Sequence, residues 1–185
     1  QARVTAWPVT SKTIEDFVVG NENAQAHGGA NVQDTKKGNY NGNGYVSLGS
    51  SSSHATWNFN WAGAYGMTPA GPNDACAFKG HLYIRFACGS GCDTTPRTLA
   101  VEVQNQWTKD VAFTSSGGFD VWAEQKVDHV VCVKGTVLNL VLRVAGAKGP
   151  HVDSWRIVAD RETWDETEEA ALTTANAALA SAVKA

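Results

Sequence analysis

Four cysteines, Cys76, Cys88, Cys92 and Cys132, are the residues of this 185-residue chain whose type and spacing point most directly to chemistry. An even count in a Gly-, Thr- and Asn-rich chain suits two disulfides made in an oxidising compartment. Three connectivities are open; we favour Cys88 with Cys92 across the turn Gly-Ser-Gly, and Cys76 with Cys132. A metal site is the rival, since Cys-x3-Cys with His81 nearby offers soft ligands, but the paired Cys-x2-Cys spacing of zinc sites is missing. Five histidines, His27, His54, His81, His129 and His151, are scattered and could meet a carboxylate only through the fold. The sequence holds no Gly-x-Ser-x-Gly elbow, His-Glu-x-x-His, Gly-x-Gly-x-x-Gly or phosphate-binding loop. The acidic residues Glu162, Asp165, Glu166, Glu168 and Glu169 read as the solvated face of a helix rather than as a catalytic cluster.

The elements that position these residues are mostly strands. Trp57, Phe59 and Trp61 alternate with Asn58 and Asn60, and Leu82, Ile84 and Phe86 with Tyr83 and Arg85. Leu99, Val101 and Val103 share one parity, as do Leu138, Leu140, Leu142 and Val144. Such short period-2 runs, bounded by Gly, Pro, Asn or Ser, predict an all-β sandwich or barrel. Trp57 and Trp61 read first as core; exposed, they would form a flat platform for a crystalline polysaccharide. Dense glycine and asparagine at 27–32 and 36–46 mark turns that use positive φ, and Tyr40 sits among them in a loop that strands would not bury. After Val158 the composition turns to Ala, Glu and Leu. Thr163 with Glu166, or Asp165 with Glu168, makes a capping box, and Leu172, Ala175, Leu179 and Val183 share a stripe. This predicts a C-terminal α-helical tail, which packs on the sandwich, serves as a linker, or drives self-assembly.

Composition narrows the function classes. Apolar residues are 43% and charged residues 18%, which suits a packed domain, and the net charge of −3 comes without any Lys/Arg run, so nucleic acid has no electrostatic foothold. No stretch approaches the ~20 apolar residues of a membrane span. Opening at Gln1 without a leader, the chain is expected to be a mature product or an excised fragment.

Residues 28–158 resemble carbohydrate-binding modules of the β-jelly-roll type, families 35 and 6. Three landmarks carry the likeness in order. GGANV at 28–32 with GNYNGNGYV at 38–46 is similar to the families' glycine-aromatic turn and following strand. LYIRFACGSG at 82–91 with LAVEVQN at 99–105 is similar to their strand, small-residue turn and next strand. SSGGFDVW at 115–122, VLNLVLRVAG at 137–146 and GPHVDSWRIV at 149–158 resemble the aromatic loop, penultimate strand and closing strand. Residues 62–78 look like an insertion, and His151 stands where the families usually carry Asn.

The resemblance implies a jelly-roll β-sandwich whose loops bind carbohydrate at one end, by flat apolar platforms and a few fixed polar groups. By motif position it offers Tyr40, Phe119, Trp122 and His151 as ligand contacts, with Asn43 and Asp120 as polar neighbours. It places Asp153 in a structural calcium site, with Glu15 in TIEDF as partner, although the second carboxylate of the usual Glu-x-Glu pair is here Phe17. Trp155 falls on an aliphatic core position. The expected domain plan is residues 1–27 as N-terminal strands joining the sandwich, 28–158 as the sandwich, and 159–185 as a helix or linker. The expected function is a secreted, non-catalytic module that binds a polysaccharide or glycan. A structural subunit of an extracellular fibre or coat is the alternative, and a small polysaccharide lyase or hydrolase the third reading.

Overall fold

A computed structural model describes residues 19–20, 24–33, 38–40, 44–60, 76, 78–134 and 136–159, and all that follows concerns these. They form β1 (Val19–Gly20), β2 (Ala24–His27), β3 (Asn31–Gln33), β4 (Tyr45–Ser47), β5 (His54–Phe59), β6 (Phe78–Cys88), a short helical turn α1 (Gly91–Thr94), β7 (Arg97–Val103), β8 (Trp107–Phe113), β9 (Gly118–Val133), β10 (Leu138–Val144) and β11 (His151–Ala159). Two antiparallel sheets result. One runs β3-β4-β11-β6-β9, with β1 also on β11; the other runs β2-β5-β10-β7-β8. The expected all-β jelly-roll sandwich is the observed fold. Of residues 1–27, β1 pairs with Trp155 and Ser154, and β2 pairs with β5 from His54 to Trp57, while residues 1–18 and 21–23 lie outside the described residues. The tail helix and Trp61 lie outside the described residues.

Strand parity builds the core as the sequence pattern demands. Leu82, Ile84 and Phe86 from β6 meet Leu99, Val101 and Val103 from β7 and Leu138, Leu140, Leu142 and Val144 from β10, all in one cluster between the sheets. Trp57 and Trp155 belong to the same cluster and are 0% and 2% exposed, so both are core residues and neither offers a platform. Burying such side chains is worth about 1.5–3 kcal/mol each before entropy is counted.

The alternation breaks once where it matters. The β11–β6 register shifts between Val152 and Ser154, so Asp153 is the extra residue of a bulge. Val152 and Trp155 still both reach the core. Asp153 and Ser154 are buried as well, with Asp153 fully so.

The cysteines pair as Cys88–Cys92, with Cα atoms 6.1 Å apart, and Cys76–Cys132, at 5.2 Å. Bonding all four removes the metal alternative. Cys88–Cys92 closes the turn after β6, and that turn is tied to the β8–β9 loop: Ser116 N donates to Cys88 O and Cys88 N to Ser116 Oγ, each at 3.0 Å. At the other end, side chains of β8 and of Gln106 just before it hold the margin of β9. Gln106 both donates to Cys132 O and accepts from Cys132 N, Trp107 Nε1 donates to Val130 O, and Lys109 Nζ to Asp128 O. Side chains thus satisfy backbone groups at the margin of a strand that would otherwise recruit another chain.

Candidate functional site

Tyr45 begins the site. In β4, Val46 turns into the core, so its neighbours Tyr45 and Ser47 turn to the outer side of the sheet. Tyr45 is nevertheless 0% exposed. Other aromatic residues cover it. His151 stacks on it at 4.9 Å and 23°, Tyr40 leans on it at 5.9 Å, and Trp122 at 5.6 Å. Phe119 continues the group, 4.7 Å from the His151 ring. These covering residues are half-buried. The tilted geometries are those that ring quadrupoles prefer.

Each ring is placed by an element the sequence explains. Trp122 lies on β9, whose Ala123 packs against the core, so Trp122 and Glu124 face outward. Phe119 lies over Gly89 of the disulfide-closed turn, where any side chain would collide: a Cβ there would sit 2.7 Å from the Phe119 ring. Asn39 adopts φ 62°, the left-handed region that asparagine tolerates, and it precedes Tyr40. His151 opens β11, opposite Ser47 and Ala87.

Charged groups frame the rings. The Arg97 guanidinium carbon is 5.4 Å from the Phe119 centroid, and its NH1 donates to Gly149 O at 2.7 Å. The Arg85 guanidinium carbon is 5.5 Å from the Trp122 centroid. Asp120 is exposed at the rim. Burial pushes the Tyr45 phenol above its ordinary pKa, and the neighbouring Tyr40 and Asp120 push it the same way. Further along the same outer face, Arg156 holds Glu124 through two bonds of 2.9 Å and lies 5.1 Å over Tyr83. The hydrogen bond from Arg156 keeps the Glu124 carboxyl below its ordinary pKa.

Of the ligand contacts expected from sequence, Tyr40, Phe119, Trp122 and His151 come together in this group, with Asp120 beside it. Asn43 and Glu15 lie outside the described residues. Tyr45, Arg85 and Arg97 were not among the expected contacts. The signal for two of them was visible: Tyr45 has the parity opposite to Val46, and Arg85 is the charged member of the polar face of Leu82–Phe86.

The calcium expected at Asp153 meets a rival cation. Arg85 NH1 is ion-paired to Asp153 Oδ2, and Ser154 Oγ donates to the same oxygen at 3.1 Å. Calcium needs six to eight oxygens, and no group of three or more His, Cys, Asp or Glu side chains gathers among the described residues. A divalent cation on that oxygen would stand against a fixed guanidinium. The described residues around Asp153 therefore do not fit a metal.

The arrangement can hold a flat, partly apolar ligand against half-buried rings while fixed polar groups meet its hydroxyls. No helix among the described residues is long and apolar enough to cross a membrane.

No protein-family model matches the chain, and no curated protein does. Solved structures do. A family 35 carbohydrate-binding module from Clostridium thermocellum aligns at TM-score 0.57 and 19% identity, over 78% of this chain and 98% of that one. A family 35 module from Paenibacillus barcinonensis aligns at 0.56 and 22%, over 78% and 99%. An exo-β-1,3-galactanase from Phanerochaete chrysosporium, solved with β-1,3-galactotriose, aligns at 0.56 and 17%, but this chain matches only 29% of it. The chain has the fold of family 35 carbohydrate-binding modules.

Proposed function

We propose that this protein is a non-catalytic carbohydrate-binding module, attaching a larger protein or assembly to a polysaccharide or glycan through the aromatic face over Tyr45. One observation carries the reading: Tyr40, Trp122 and His151 arrive from three separate segments and meet on one buried tyrosine, with Phe119 extending the group from His151, and all four are half-buried. A core needs no such convergence outside itself, whereas a sugar-stacking surface does. The fold of two modules described as carbohydrate-binding supports the same reading. Two disulfides favour an oxidising, extracellular setting.

A single face of a few rings binds weakly, and useful attachment comes from repetition on a larger body. The test is a glycan and polysaccharide array with the wild type, Tyr40→Ala and Trp122→Ala. Binding by the wild type and its loss in both variants is the expected result. No binding by the wild type would sink the function; undiminished binding by both variants would sink the site.

A further inference from the structure

The geometry points to the guanidinium of Arg85, and not a metal ion, as the cation that balances buried Asp153, and to Arg85 as the residue that positions the aromatic face. A carboxylate with 0% exposure cannot stand without a partner. One arm of Arg85, which is itself 24% exposed, is ion-paired to it, and Ser154 Oγ donates to the same oxygen.

The other arm of the guanidinium does separate work. Arg85 NH2 donates to Asn39 O at 3.0 Å, and the preceding carbonyl, Gly38 O, receives Trp122 Nε1 at 2.8 Å. Positive φ at Asn39 lies between these two acceptors. The guanidinium carbon then lies over Trp122, 5.5 Å from the ring centroid. One side chain therefore joins the closing strand at Asp153, the 38–40 segment that carries Tyr40, and the Trp122 ring. A carboxylate oxygen and a backbone carbonyl side by side are what a hard cation would collect. Here N–H groups engage them, in the fork geometry that only arginine supplies.

As a role in sugar binding this rests on the reading above, so the test uses no sugar and the two can fail separately. Thermal melting of the chelator-treated full chain is measured with and without millimolar CaCl2, and exchange of the Trp122 indole N–H is followed by NMR, its signal assigned by loss in Trp122→Phe. We expect no calcium-dependent rise in melting temperature. Arg85→Lys keeps the charge against Asp153 but not the second arm or the guanidinium over Trp122. It should melt within a few degrees of wild type while Trp122 indole exchange quickens by about tenfold or more. A merely structural ion pair would leave that exchange unmoved. Should Arg85→Lys fail to fold, the double variant Arg85→Gln with Asp153→Asn removes both charges together and is read by the same exchange. A clear calcium-induced rise in wild-type melting temperature would overturn the first half, and wild-type indole protection in the variant would overturn the second.

Discussion

Two aromatic assemblies lie on opposite sides of one sheet, and they obey different rules. Between the sheets, Phe86 meets Phe113 edge-on at 4.9 Å, and Phe59 meets Trp155 at 5.8 Å. The indole N–H groups of Trp57 and Trp155 are buried there with no acceptor among the described residues. Packing volume outweighs an unmet donor that costs about 1–3 kcal/mol. On the outer side, Trp122 is half-buried, with an acceptor for its N–H and a guanidinium carbon over its ring. Inside, rings are held by how much space they fill; outside, by where they are pinned. A tryptophan's role is thus read from its partners more than from its exposure alone.

The sharpest way to break this contrast is to truncate one member of each side. Trp57→Ala should cost about 3–5 kcal/mol in urea or thermal unfolding, because a fully buried ring leaves a cavity its neighbours cannot fill. Trp57→Phe should lose only packing, since no hydrogen bond among the described residues is given up. Trp122→Ala should cost about 1 kcal/mol, the worth of one neutral hydrogen bond and part of a surface contact, yet remove glycan binding. If the two alanine variants were equally unstable, the outer face would be a second core and the proposed site would fall.

A smaller effect tests how deeply Tyr45 is sealed. Its folded pKa is raised, so the folded state holds that proton more tightly than the unfolded chain does. The stability tied to this is fully present below the ordinary tyrosine pKa and is lost as pH rises toward the folded value. In a tyrosinate absorbance titration Tyr45 should therefore ionise above its ordinary range, and chain stability should fall across that same alkaline window. Ionisation of every tyrosine in its ordinary range would show an open cluster.

Much of this division was legible in the residues, and the illegible part has a physical cause. The core followed from parity, because alternation forces Leu82, Ile84 and Phe86 to one side whatever they meet there. Tyr40, Phe119, Trp122 and His151 were reached only through resemblance, since no period marks residues that converge from separate segments. Asp153 shows the limit most clearly. Its bulge shifts parity by one residue, and its partner Arg85 lies 68 positions earlier, a distance over which spacing carries no information. Tyr45 was hidden for a different reason: full burial on the outer side depends on rings brought by three other segments.

The smallest expected effect marks where the face ends. Glu124 and Arg156 form a well-made pair on the outer side of the sheet, but Glu124 is 41% exposed and Arg156 29%, so solvent screens it. Its carboxyl pKa is lowered by the bond from Arg156, which means that the stabilisation is present above the ordinary glutamate pKa and lost as pH falls through the folded value. Glu124→Gln should cost about 0.5 kcal/mol near neutral pH in chemical unfolding, less in high salt, and nothing in acid. Its effect on glycan binding decides the geometry. Binding within twofold of wild type would confine recognition to the rings over Tyr45, whereas a loss as deep as that of Trp122→Ala would extend the binding face along the sheet to Arg156 and Tyr83, making it a groove for a chain rather than a seat for a single sugar.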